Sequence, residues 1–253
     1  LQVSQRNGHY SETGLYSGIA ATDWSWAPLW MDFDNDGRKD LFISNGIPKR
    51  MNDIDYVNFV SNEEVQQKIN SNSMDEKNMA LISKFPEIKL PNKFFSNNGN
   101  LSFTDDEARV EGNEATYSNG AVYADFDNDG DLDIAVNNIK AEALLYENQA
   151  AKSGSHTSLQ LKLAGPAGNR NAIGSRVILF SGKEIKTWDK FPVRGFISSM
   201  ESDLLIGLKN TRVDSLLLVW PDNSYQRILP DTLKGVMNIQ YKTGLPLYDF
   251  TRI

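Results

Sequence analysis

A fifteen-residue segment occurs twice in this chain, and an internal repeat constrains a fold more tightly than any local propensity. Met31-Asp-Phe-Asp-Asn-Asp-Gly-Arg-Lys-Asp-Leu-Phe-Ile-Ser-Asn45 returns as Ala124-Asp-Phe-Asp-Asn-Asp-Gly-Asp-Leu-Asp-Ile-Ala-Val-Asn-Asn138, with Asp32 mapping onto Asp125, 93 residues on. Asn-Gly dipeptides lie upstream of both copies, at Asn7-Gly8 and Asn98-Gly99. Between alternating residues this pair signals a tight hairpin, because the turn needs positive φ at its centre. Each unit therefore reads as a hairpin, a strand, an acidic loop and a second strand. Leu41-Phe-Ile-Ser44 and Ile134-Ala-Val-Asn137 supply the short apolar strands after the loops.

The loops have the form Asp-x-Asp-x-Asp-Gly-x-x-Asp, which suits a hard cation wanting six to eight oxygens in flexible geometry. In the first, Asp32, Asp34, Asp36 and Asp40 offer carboxylates, Gly37 permits the reversal, and Arg38 offers its backbone carbonyl. In the second, Asp125, Asp127, Asp129 and Asp133 do the same around Gly130, with the carbonyl of Asp131. An EF-hand would place a bidentate glutamate at position 12, within a helix. That position is Ile43 or Val136, in an expected strand, so the spacing predicts a calcium turn between strands. Asp and Gly also favour ordinary surface turns. Two near-identical copies argue against that alternative, since crowded carboxylates repel unless a divalent ion lies among them. Two Ca²⁺ ions would move the formal charge from -7 to -3.

Composition removes several other chemistries. The acidic balance leaves no basic face for a nucleic-acid backbone. Without cysteine there is no disulfide framework, thiolate metal site or cysteine nucleophile, and His9 and His156 lack ligand-like spacing. No apolar run is long enough to span a bilayer as a helix. The chain opens at Leu1 with no leader pattern, which reads as a processed or excised part of something longer. No Gly-x-Ser-x-Gly, His-Glu-x-x-His, P-loop or dinucleotide fingerprint occurs, and no catalytic residue is assigned.

Between the units, residues 47–90 have a different character. Ser61-Asn-Glu-Glu64 and Ser73-Met-Asp-Glu76 match the capping box, Val65 with Ile69 and Met79 with Ile82 give apolar sides, and Pro86 stops the second segment. These features predict an insertion of two or three short helices, whose removal leaves a repeat of about 50 residues, the size of a propeller blade. Residues 150–156 have linker composition. Beyond them Leu159-Gln-Leu-Lys-Leu163 alternates, while Val177-Ile-Leu-Phe180 and Leu216-Leu-Leu-Val-Trp220 are continuous apolar strands. This half reads as a β-sandwich or barrel.

Residues 1 to about 148 resemble the FG-GAP or VCBS repeats of β-propellers, on the two acidic loops and on Asn92-Lys-Phe-Phe-Ser-Asn-Asn-Gly99 and Leu145-Tyr-Glu-Asn148. Residues 155 to 240 are similar to the ASPIC/UnbV domain of cartilage-acidic-protein-like chains. The matching segments are Asn171-Ala-Ile-Gly-Ser-Arg-Val177, Gly195-Phe-Ile-Ser-Ser199, Leu205-Ile-Gly-Leu208 and Val213-Asp-Ser-Leu-Leu-Leu-Val-Trp-Pro-Asp222. Asn223 stands where that family has glycine, and asparagine tolerates positive φ. The resemblance implies an all-β fold with a small helical insertion: two partial propeller blades over 1–150 and a sandwich-like domain over 151–253. It also implies an extracellular or cell-surface setting, secreted or outer-membrane associated. Two blades cannot close a propeller, so upstream blades or a partner chain are expected.

Trp24, Trp26 and Trp30 precede the first loop, and area favours core packing over ligand stacking for them, as for Trp220. Asp53, Asp55 and the Asp105-Asp106-Glu107 cluster read as helix-terminal and turn residues rather than acid–base pairs. The expected function is a calcium-binding extracellular module for a protein or glycan ligand. Alternatives are a polysaccharide-acting enzyme with a carboxylate pair, or a structural subunit of a larger surface complex.

Overall fold

The computed structural model describes the 253 residues except 6–7, 50–52, 84, 86, 154–157, 201–202, 210, 230–232, 234 and 253. Asn7, Pro86 and His156 therefore lie outside the described residues. The architecture is mostly β, and the described strands form several sheets, none of them closed.

The chain opens with strands β1 (Gln2–Ser4) and β2 (Tyr10–Glu12), an antiparallel hairpin, followed by the short helix α1 (Gly14–Ser17). Next come β3 (Ser25–Met31), the first acidic loop and β4 (Asp40–Asn45). Helices α2 (Ile54–Val60), α3 (Glu63–Asn70) and α4 (Glu76–Ser83) form the expected insertion, after which β5 (Lys93–Gly99) and β6 (Ser102–Asp105) complete a four-stranded antiparallel sheet. Leu41 pairs with Phe95 across β4 and β5, so the insertion falls inside the first sheet, not between two units. Sequence spacing cannot reveal this, because the hairpin signal at Asn98-Gly99 looks the same whether it ends one sheet or opens the next.

Strands β7 (Ser118–Ala124), β8 (Asp133–Asn138) and β9 (Leu144–Tyr146) form the second sheet around the second acidic loop. One face of each sheet is apolar, and the two meet. Ala27, Leu29, Met31, Phe42 and Phe94 pack against Ala121, Tyr123, Ile134, Val136 and Tyr146. The other face of the first sheet carries Leu41, Ile43 and Phe95 beside Trp30 and Phe103 of its own flanking strands, with Ile19 packed on them.

Helix caps in the insertion are shifted by one or two residues from the expected boxes. Asn62, not Ser61, caps α3, accepting from the Glu64 and Val65 N–H groups at 3.0 and 3.4 Å. Asp75, not Ser73, accepts from Asn78 N–H at 2.8 Å at the start of α4. Asn, Ser and Asp are all good caps, so the motif alone leaves the boundary open. Asp53 caps α2 through Asp55 and Tyr56 N–H, the helix-terminal role its position suggests. Val65 is buried, whereas Ile69 and Met79 remain exposed.

The C-terminal half contains β10 (Ser158–Ala164), β11 (Arg176–Ser181), β12 (Glu184–Asp189), β13 (Leu204–Gly207), β14 (Ser215–Val219), β15 (Tyr225–Ile228) and β16 (Val236–Gln240). Four strands make an antiparallel sheet in the order β12-β11-β14-β15, and three make a second in the order β13-β10-β16, with β10 and β16 parallel. The alternation at Leu159, Leu161 and Leu163 puts these side chains on Val177, Leu179, Leu216, Leu218 and Trp220 of the facing sheet, as a sandwich requires. Asn223 does take positive φ, at 64°.

The halves are not separate cores. Met200 and Leu205 from the C-terminal half lie in the cluster between the two N-terminal sheets, and the Phe196 ring stands 4.5 Å from that of Trp26. Trp24, Trp26 and Trp30 are half-buried ring contacts rather than the deepest core; Trp220 is fully buried. Because Phe42 is wholly buried against Phe94 and Tyr146, Phe42→Ala should cost about 3–5 kcal/mol in urea unfolding. With a shared core, N-terminal and C-terminal tryptophan signals should shift together; separate transitions would contradict that coupling.

Candidate metal centres

Each acidic loop connects the first two strands of its sheet, so the strand register fixes both ends of the turn: Met31 opposes Asp40, and Ala124 opposes Asp133. Between them the backbone reverses through positive φ at Asn35 and Gly37 in one loop and Asn128 and Gly130 in the other. The asparagine at the fourth position is a turn residue that attention to the carboxylates passes over; its short amide side chain makes the left-handed conformation affordable.

The reversal points backbone N–H groups inward, onto the aspartates. Asp32 accepts from Asp36 N–H at 3.0 Å and Gly37 N–H at 2.9 Å, and Asp125 accepts from Asp129 N–H at 3.0 Å and Gly130 N–H at 3.2 Å. Asp34 and Asp127 each accept from the N–H two residues on, at 3.2 Å. The closing aspartates are held twice. Asp40 accepts from Phe33 and Asn97 N–H at 3.0 and 2.8 Å, and Asp133 from Phe126 and Asn148 N–H at 2.9 and 2.8 Å. The two loops thus share one hydrogen-bond scheme, including a donor from the third strand's end.

These bonds gather Asp32, Asp34 and Asp40 so that one oxygen from each lies within 4.8 Å of the others, and they gather Asp125, Asp127 and Asp133 likewise. Asp36 and Asp129, expected as ligands, stand outside these triads. Asp36 pairs with the Arg38 guanidinium and accepts from Arg38 N–H, and Asp129 accepts from Asp131 N–H at 3.1 Å. The spacing places these two carboxylates in the turn but does not show that the turn's own backbone engages them.

Burial raises the electrostatic cost of the first triad. Desolvation pushes Asp32 up to about 7, with the Asp36 and Asp34 charges adding to it against the pull of the Gly37 N–H. Desolvation pushes Asp40 up to about 8, with the Asp34 and Asp32 charges adding to it against the Asn97 and Phe33 donors. Asp34 and Asp125 also rise, again chiefly through desolvation. An all-oxygen set of buried, mutually repelling carboxylates fits a divalent, oxygen-preferring cation, whose charge reverses the sign of the interaction.

The loops also touch each other and the C-terminal half. Asn35 Nδ2 donates to the Gly130 carbonyl at 3.1 Å, Ser158 Oγ donates to the same carbonyl at 2.7 Å, and Asn148 Nδ2 reaches Phe33 O at 2.7 Å. Lys209 N–H donates to Asn35 O at 3.3 Å. Gly207, within the Leu205-Ile-Gly-Leu208 segment, lies directly on the first loop: an added Cβ there would overlap Asp32 Oδ2 and the Asn35 backbone. A Cβ on Gly37 would stand 2.8 Å from the Gly207 carbonyl. Asn35, Asn148, Ser158 and Gly207 join the site only through tertiary structure.

The remaining acidic cluster is committed elsewhere. Lys93 pairs with Asp105 and Glu107, and Arg109 pairs with Asp106.

Gly207→Ala should destabilise the protein by about 1–3 kcal/mol through this overlap. An unchanged urea midpoint would show that the loop gives way freely. In chelator-treated protein, Asp32 and Asp40 bind protons in the folded state at pH values where the unfolded chain, near 3.8, has released them. Folding stability should therefore fall as pH rises from about 4 to about 8, and urea titrations in EGTA at pH 5 and pH 8 read it directly. Greater stability at pH 8 would contradict the assigned direction.

The family model described as ASPIC and UnbV matches residues 165–244, which run from the end of β10 past β16 and include Gly207. No curated protein matches the chain. The domain packed on the acidic loops is thus the ASPIC/UnbV-like part of the chain.

Proposed function

We propose that this chain is a calcium-stabilised extracellular binding module, in which two blades of the FG-GAP/VCBS type are stapled to an ASPIC/UnbV domain by two Ca²⁺ ions. The observation that carries this reading is the equivalence of the two triads: six aspartates, 93 residues apart in pairs, held by the same backbone donors. A repeated surface turn has no need to bury Asp32, Asp40 and Asp133.

Asp32, Asp34 and Asp40 would hold one ion and Asp125, Asp127 and Asp133 the other. The ion supplies positive charge that lets buried carboxylates stay ionised. The chain's own residues do the rest. Backbone N–H groups orient the aspartates, Gly37 and Gly130 allow the reversal, and Asn35 and Ser158 tie the loops to each other and to β10. Modules of this affinity class bind at about 10⁻⁴–10⁻³ M, which matches an extracellular setting.

The exposed outer face of the second sheet favours a further role as a subunit of a larger assembly. Leu145 there is 67 % exposed and the neighbouring Ile197 90 %. Upstream blades or a partner chain would cover it, and a protein or glycan ligand is expected on the connecting segments, where rigid sheets usually carry recognition.

At 10 mM Ca²⁺, sites of this class stabilise the fold by about 1.4–2.7 kcal/mol each through linkage. Melting temperature should rise on adding Ca²⁺ and fall back with EGTA. Asp34→Ala combined with Asp127→Ala should abolish the shift, and as the least buried members of the triads they are the aspartates whose removal disturbs packing least. If parent and double variant respond alike to EGTA, the site assignment fails.

A further inference from the structure

A cavity of about 60 Å³ lies in the seam between the first acidic turn and the C-terminal half, and of the six triad aspartates only Asp32 borders it. It opens to solvent beside Lys39, Ile173 and Phe191, lining residues that are themselves exposed. Such a space holds a few waters, or one carboxylate or sulfate group in their place.

The charges around it do not balance. Three carboxylates border the cavity, and each is engaged. Asp189 pairs with Arg176 Nε at 2.6 Å, Asp203 pairs with Lys162 Nζ at 3.6 Å, and Asp32 accepts from the N–H groups of its own turn. Three cations border it as well, Lys39, Lys190 and Arg194, while Arg176 and Lys162 stand outside. Positive charge is therefore in surplus there among the described residues.

Arg194 is held ready for a ligand. Its Nε donates to Phe191 O at 3.1 Å and its Nη2 to Asp189 O at 2.5 Å, so two backbone carbonyls fix the plane of the guanidinium. These bonds use two of its five N–H donors, and no carboxylate pairs with it among the described residues. Lys39 has no carboxylate partner there either. Burial, and after it the Arg194 charge, hold the Lys39 amine below the usual lysine range against the pull of Asp189, so the two cations crowd each other. Burial pushes the Tyr123 hydroxyl up while the Arg194 charge pulls it down, which puts a further donor beside the same guanidinium.

We propose that the seam cavity is a binding site for a small oxyanion, the carboxylate or sulfate group of an acidic ligand, held between the Lys39 amine and the Arg194 guanidinium. The arginine fork matches two oxygens of either group, and the lysine adds a point charge. An oxyanion there turns the repulsion between the two cations into attraction. Because Lys39 ends the first acidic turn and Arg194 belongs to the C-terminal half, it also bridges the seam. Neither cation is a loop ligand, so this site and the calcium reading fail separately. With a formal charge of -7 the chain at large repels anions, and uptake requires a local site.

Trp30 and Trp188 line the cavity and report on its filling. Tryptophan fluorescence of the full chain is titrated with sodium sulfate and, separately, with sodium glucuronate, each against sodium chloride at matched ionic strength and constant Ca²⁺. The parent should give a saturating change with at least one of the two anions, and the stronger response identifies the preferred group. Lys39→Gln and Arg194→Lys should each weaken binding by about tenfold or more, the worth of one charge-assisted hydrogen bond. Lys39→Gln should keep the parental urea midpoint, and if Arg194→Lys does not, Lys39→Gln decides alone. Lys152→Gln removes an exposed charge paired with Glu147 away from the cavity and should bind as the parent does. A parent response no larger than that to chloride, an unchanged affinity in Lys39→Gln, or an equal weakening in Lys152→Gln overturns the site.

Discussion

Backbone N–H groups aimed at clustered carboxylates are the interaction on which the rest of this structure depends. In each acidic turn three N–H groups from within the loop, one of them shared by two aspartates, and one from near the end of the third strand hold three aspartates together. Each bond is charge-assisted and stronger than a neutral one. They orient the side chains but remove no net charge, so burial and mutual repulsion push Asp32 and Asp40 toward the protonated form unless a cation lies among them. The same turns close the first two strands of their sheets and form the surface on which the C-terminal half rests.

That surface explains why the chain is one packed body although its sequence reads as two. Gly207 lies flush on Asp32 and Asn35, and two steps away Leu205 enters the core shared by both N-terminal sheets. A small cavity of about 60 Å³ lies at this junction, lined by Trp30, Asp32, Lys39, Trp188, Arg194 and Asp203 among others. Charge and apolar packing therefore meet at one seam. Any ion held by Asp32 acts within a few bonds of the contact that joins the halves, so ion occupancy and inter-half packing are physically linked.

The sheets also differ in how completely they are covered. The first has the second sheet on one face and, on the other, a patch of its own Leu41, Ile43, Phe95, Trp30 and Phe103 with Ile19 packed on it. The second sheet has three strands where the first has four, and its outer face carries Val122, Ala135 and Leu145. A groove of about 660 Å³ opens between the sheets beside β9, with Phe94, Ile134 and Tyr146 among its lining residues. The inserted helices add Ile54 and Met79 to the exposed apolar area. Such surface on a chain with this much buried core is where recognition would be looked for.

Sequence alone determined the local elements of the site. The spacing of Asp32, Asp34 and Asp40 and of their counterparts, the glycines at 37 and 130, the strands on either side and the helical insertion were legible because each depends on near neighbours: a turn's dihedral demands, a strand's alternation, a helix cap's donor. Even there the caps slipped to Asn62 and Asp75, since several good acceptors stood side by side. Tertiary structure decided what depends on distant residues. It placed the insertion inside the first sheet by pairing Leu41 with Phe95, turned Asp36 onto Arg38, and set Gly207 against Asp32. Spacing fixes which groups can meet within a turn; only the packing of remote strands fixes which of them are buried together, and burial is what gives a carboxylate its chemistry.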